Sequence, residues 1–153
     1  MGIRAAIEAL AVVVTSTVPI TEPGVRFTML ADARSKAPSA PGRKRVCDLV
    51  VAGDEGSTAS GFHLRRRYEV VLEVQYPNRG KRDDSALHLE DASRLSRSIA
   101  LSNVTAGQLL GVATAHPTTA PEFEEVTPDG ADAPTGVVMR LPFIVETREA
   151  EPT

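Results

Sequence analysis

The residues of this chain that could do chemistry are few and scattered. Three histidines, His63, His88 and His116, are far apart, and none pairs with another at an H-x-x-x-H spacing. Cys47 is the single cysteine, so no intrachain disulfide and no Cys/His zinc set can be built from it. The sequence has no G-x-S-x-G elbow, no G-x-x-x-x-G-K-[ST] phosphate loop and no G-x-G-x-x-G turn. Asp83-Asp84 and Glu124-Glu125 are paired acids. A general acid/base pair needs carboxylates facing one cavity, which adjacency alone does not provide. These residues therefore predict neither catalysis nor a cofactor or metal. Two basic clusters remain, Arg43-Lys44-Arg45 and Arg65-Arg66-Arg67. Clustered cations of this kind can contact a phosphate backbone without reading sequence, or can pair with nearby acids. The net charge of -3 gives no bulk attraction to nucleic acid or membrane.

The elements that must position these residues follow from periodicity. In Arg65 to Pro77, RRRYEVVLEVQYP, residues Tyr68, Val70, Leu72, Val74 and Tyr76 alternate with mostly polar neighbours. That period predicts a strand with one buried face, about 30 Å long and central in its sheet. Pro77-Asn78-Arg79-Gly80 ends it. Val46–Val51 reads as its hairpin partner, with Gly53–Gly61 as a flexible polar tip. In that hairpin both basic clusters would lie near the end opposite the tip and form one positive patch.

Upstream, Ile3, Ile7, Leu10 and Val14 form one apolar stripe of an N-terminal helix. Val12 points away from that stripe. It is either a surface valine or a contact to a second body. Glu8 interrupts the apolar run after Arg4, so the segment resembles neither a signal peptide nor a membrane span, and an intracellular product is expected. Val25–Leu30 reads as a short strand. Ala31–Arg45, rich in Ala, Ser, Pro and basic residues, reads as a mobile loop.

After the turn at Pro77 the period changes. His88, Ala92, Leu95 and Ile99 share an apolar face flanked by Leu89, Ser96 and Ala100. Glu90, Asp91, Arg94 and Arg97 are expected to face water. The helix should run from about Ser85 to Leu101, with His88 as a half-buried histidine. Leu109–Ala115 then reads as a modest strand, His116–Pro121 as a connection and Glu122–Thr127 as an exposed strand or edge. Val137–Glu146 closes the sheet, with Pro142 marking an edge or a bulge. Residues 147–153 read as a frayed tail. The fold class is thus α+β: one domain over residues 1–153, in the order α-β-β-β-α-β-β-β, with a mostly antiparallel sheet and two helices on one face.

This order, with the pattern YEVVLEVQYP, the polar helix LEDASRLSRSI and the late segment VVMRLPFIVETRE, resembles the tail terminator, or tail completion, proteins of long-tailed bacteriophages and prophages. The resemblance covers about Gly2 to Glu149 and lies in pattern and order, not in an invariant motif. It implies a virion structural protein, made in the host cytoplasm, without enzymatic activity. Such a protein forms a ring, expected to be a hexamer, that caps the tail-tube protein, stops its polymerisation and meets the head-side connector, while DNA passes through the lumen without sequence readout. On that view Val12, Glu122, Phe123, Glu124 and Glu125 are candidate subunit contacts. Arg43, Lys44, Arg45, Arg65, Arg66 and Arg67 are candidate contacts to DNA or acidic neighbours. Three other readings stay open: another neck or tail-tube subunit, a small nucleic-acid-binding module acting through the basic clusters, and a small enzyme with an unusual site.

Overall fold

A computed structural model describes residues 2–30, 45–60, 63–77, 84–102, 113–127, 130 and 136–150. Its elements run in the order α1 (Ile3–Ser16), β1 (Thr28–Met29), β2 (Val46–Ser60), β3 (His63–Pro77), α2 (Asp84–Ser102), β4 (Ala113–Pro117), β5 (Glu122–Val126) and β6 (Gly136–Ala150). The class is α+β. The six strands form one mixed sheet in the order β1-β2-β3-β6-β4, with β5 also paired to β6. The sheet is not purely antiparallel, because β1 pairs in parallel with Val46 and Cys47 of β2.

The period-two reading of β3 holds. Tyr68, Val70, Leu72, Val74 and Tyr76 are all buried, and the strand is flanked on both sides, by β2 and β6. Their face meets Ala6, Leu10, Val13 and Val14 of α1 and Leu87, Ala92, Leu95 and Ile99 of α2 in one core, so both helices cover the same side. Full burial of an aliphatic side chain stabilises by about 1.5–3 kcal/mol, and this stripe carries five buried apolar or aromatic positions, so β3 anchors the fold.

Several boundaries differ from expectation. The strand predicted at Val25–Leu30 shrinks to Thr28–Met29. The predicted tip at Gly53–Gly61 is instead strand as far as Ser60, paired with β3. The glycines there accommodate register shifts between Val51 and Gly53 and between Asp54 and Gly56. Gly56 has φ of 109°, a conformation that side chains disfavour, and its N–H donates to Asp54 Oδ1 at 2.8 Å. Glycine here marks bulges and not a loop. The predicted frayed tail is strand through Ala150, and Thr147 is fully buried, because β3 continues to Arg65 and His63 and gives β6 a partner. The strand predicted at 109–115 is described only as Ala113–Pro117 and so takes in His116; residues 109–112, 151–153 and most of the 31–45 loop lie outside the described residues.

Pro142 lies in an interior strand, between β3 and the β4/β5 side, and not at an edge. Its carbonyl accepts the Thr118 N–H at 3.1 Å. In an extended residue the N–H and C=O point to the same side, so the missing donor of Pro142 faces the break between β4 and β5. The β3 ladder therefore loses nothing. Close approach also explains Gly136, where a Cβ would sit 2.7 Å from the Tyr76 carbonyl oxygen.

Candidate assembly interface

The residue reading most at odds with the structure concerns Asp91. It was expected on the water-facing side of α2, yet it is fully buried. Arg45, predicted to be exposed in a mobile basic loop, is only 2% exposed. The two meet in a bidentate pair, Nε to Oδ2 at 2.6 Å and Nη2 to Oδ1 at 3.1 Å. Arg45 Nη1 also donates to the carbonyls of Glu22 (2.9 Å) and Val25 (2.7 Å), and Nη2 donates to that of Thr21 (2.7 Å). The Tyr76 hydroxyl donates to Asp91 Oδ2 at 2.7 Å. All five guanidinium hydrogens are thereby used, and the segment between α1 and β1 is tied to α2. Arg45 itself is therefore not exposed to meet DNA. Burial, the Asp91 charge and the Asp91 hydrogen bond push the Tyr76 hydroxyl well above its ordinary value. Burial, then the same carboxylate, pushes the Cys47 thiol up to about 12, which makes it inert as a nucleophile near neutral pH.

Arg45 and the Arg65–Arg67 triplet do not form one patch. Arg43 and Lys44 lie outside the described residues, and Arg45 adjoins Val46, which pairs with Gln75. Arg65, Arg66 and Arg67 pair with Thr58, Ser57 and Gly56, close to the hairpin turn. Nine residues of strand separate Arg66 from Gln75, about 30 Å. The expectation failed because β2 runs far past Val51, which moves the turn end of the hairpin next to the arginine triplet. The triplet is also split between the two faces of the sheet. Arg66 shares the face of Tyr68, while Arg65 and Arg67 point to the other side, where Arg65 Nη1 lies 3.9 Å from Glu146 Oε1.

The candidate subunit contacts fare differently. Val12 is 63% exposed on the side of α1 away from the core. All five residues of β5 are exposed, although the strand is hydrogen-bonded into the sheet. The sequence EFEEV forms a strand through its pairing with Gly136–Arg140 of β6, and its second edge has no partner among the described residues. Phe123 stands on the helix side, stacked at 6.2 Å from the ring of His88, which in turn lies 4.0 Å from Tyr76. Glu124 reaches over the other face to Arg140 Nη1 at 2.5 Å, and Arg140 Nε reaches Glu73 at 3.2 Å. On the opposite side of the sheet, β1 covers only Val46 and Cys47, so β2 from Asp48 onward also has an unpaired edge among the described residues. Val50 and Val51 are exposed along it.

His116 is exposed, and neither of two surface depressions includes it among its walls. The described residues contain no group of three or more His, Cys, Asp or Glu placed to hold a metal ion, and no helix long and apolar enough to cross a membrane. What the described residues offer instead is a sheet with an edge on each side that is unpaired among them. Sequence reasoning found β5 but missed the β2 edge, because the glycines that signalled a loop conceal a strand. It also missed Asp91, although that residue lies three after His88 and four before Leu95, on the buried stripe itself. The chain matches no protein-family model and no curated protein.

Proposed function

We propose that this chain is a structural subunit of a phage virion that assembles into a ring, caps the tail tube, ends its polymerisation and joins the tail to the head-side connector. The supporting observation is β5, a fully exposed, hydrogen-bonded strand whose outer edge is unpaired among the described residues. Left bare, such an edge invites uncontrolled pairing, and a closed ring removes it. The β2 edge on the far side of the sheet gives the subunit a second, different surface, as head-to-tail association requires. On this reading the partners are further copies of the chain, six in the expected ring, the tail-tube protein and the connector, with DNA passing through the lumen. The chain acts by assembly and carries out no reaction.

A related reading, a tail-tube or other neck subunit, draws on the same two edges and differs in what they build. Light scattering followed by negative-stain imaging separates the two. Closed rings, formed alone or on tail-tube ends, are the expected result. Long open tubes would transfer the protein to the tube-subunit reading. A monomer indifferent to tube ends would remove it from both.

A further inference from the structure

One row of the sheet combines buried polar atoms with an uncompensated charge. On the helix-covered face the register runs Ser57–Arg66–Thr147–Ala113 across β2, β3, β6 and β4. The row lies one step beyond Tyr68, Val145 and Ala115, which belong to the apolar core, whereas Arg66 and Thr147 do not. Thr147 is fully buried, and neither its Oγ1 nor the buried Nε of Arg66 has a hydrogen-bond partner among the described residues. Buried polar atoms are nearly always bonded, so two orphans in one row point to a group that joins them. The two residues stand directly opposite each other on neighbouring strands. Cβ atoms so placed are about 4.5–5.5 Å apart, close enough for one small group to reach both side chains.

Charge identifies that group. Arg66 Nε can only donate, and the Thr147 hydroxyl is free to donate with it, so the joining group is an acceptor. A water could accept from both, but it would bring two hydrogens of its own into the site and leave the guanidinium charge unbalanced. Arg45, Arg65 and Arg140 each have a carboxylate, from Asp91, Glu146 and Glu73; Arg66 has none among the described residues. Arg66 is half-buried, so its charge is screened less than that of Arg67, which is exposed on the opposite face. We propose that Arg66 and Thr147 form a binding site for a phosphate oxyanion, one oxygen of which accepts from both Arg66 Nε and Thr147 Oγ1. The guanidinium fork matches two oxygens of such an ion, and Ser57, exposed on the neighbouring strand, supplies a further donor from the solvent side. The ion ties β2, β3 and β6 together where the apolar core stops. None of this depends on how copies of the chain assemble.

Inorganic phosphate is the probe. Isothermal titration calorimetry gives its affinity, and urea unfolding in phosphate against sodium chloride of equal ionic strength gives the linked stabilisation. The variants are R66Q, T147V and R67Q, each checked for folding by circular dichroism. The native chain should bind phosphate and unfold at a higher urea concentration in its presence. R66Q should lose both responses. T147V keeps the side-chain shape without the hydroxyl and should bind about tenfold more weakly. R67Q, one residue away on the other face, should behave as the native chain does. Equal responses in the native chain, R66Q and R67Q, or a native response no larger than that to chloride, would mean an adventitious ion only and overturn the site. A T147V chain more stable than the native one, with no phosphate response in either, would mean that water or mutual contact satisfies the two atoms, and would overturn it too. If T147V fails to fold, the contrast between R66Q and R67Q decides alone. Short duplex DNA that competes with phosphate on the native chain would keep the site and assign its oxyanion to the nucleic-acid backbone; absence of competition would assign it to the free ion.

Discussion

Arg45 and Arg140 each bind a carboxylate through Nε and reach a second partner through their outer nitrogens, yet the two clusters do different work. Arg45 is sealed in the core with Asp91, and every guanidinium hydrogen is spent. Arg140 bridges Glu73 and Glu124 on the open face of the sheet, with its side chain 35% exposed. Water screens the second cluster and can replace any member that is lost; no water stands in for the first. The same residue types thus give a structural clamp in one place and an adjustable surface in the other, and burial decides which.

The most severe way to break this contrast is Asp91→Asn. It keeps the side-chain size but leaves the Arg45 charge buried and uncompensated, for an expected loss of about 3–5 kcal/mol in urea unfolding. A sharper version replaces both partners, Arg45→Met with Asp91→Leu. Buried ion pairs exchanged for apolar residues are often neutral. Here the double variant should stay destabilised, because the carbonyls of Thr21 and Val25 lose the Arg45 donor and that of Glu22 keeps only the Val25 N–H. Native stability in the double variant would show that the clamp is an ion pair and nothing more.

Tyr76→Phe should cost less, about 1.5–3 kcal/mol, since it removes one hydrogen bond to a charged acceptor and leaves the ring against His88. An unchanged unfolding midpoint would mean that Arg45 alone satisfies Asp91.

How far such contrasts could be read in advance depended on the range of the interaction. The period of β3, the stripe of α2 and the exposure of β5 are local patterns, and they were legible. The partner of Asp91 is 46 residues upstream, in a stretch whose composition reads as a loop. Spacing could place Asp91 on the buried face of the helix; only the fold could supply its cation. The two glycines of β2 failed for a related reason. A bulge and a turn use the same residue, and the paired strand tells them apart. Once β2 is known to run to Ser60, the separation of Arg45 from the Arg65–Arg67 triplet follows directly.

Alkaline pH separates the regions more gently. The Cys47 thiol lies against the buried cluster, and its value rises from 9.0 to about 12 in the folded chain. Below 9.0 both folded and unfolded thiols hold their proton, and the contribution to stability is complete. From there toward 12 the unfolded thiol ionises while the folded one does not, so stability should fall as pH rises. Tyr76 shifts in the same direction and adds to the loss. Cys47→Ala should flatten the slope of stability against pH over this window, whatever it does to absolute stability. An unaltered slope would place the alkaline sensitivity elsewhere.

The smallest expected effect is at Arg140, and it tests the exposed half of the comparison. Arg140→Ala removes both surface ion pairs, but exposed pairs are typically worth no more than about 1 kcal/mol, and less as salt rises. Unfolding should therefore shift little, and the shift should shrink further in high salt. Assembly should respond more than stability. Without Arg140, Glu124 is released beside Glu122 and Glu125, which raises the negative charge that β5 presents to a neighbour. If β5 contacts a neighbouring subunit, Arg140→Ala should change the salt dependence of assembly while leaving the monomer nearly as stable. A large, salt-independent loss of stability would mean that Arg140 supports the fold as Arg45 does, and that exposure is a poor guide to what an arginine does in this sheet.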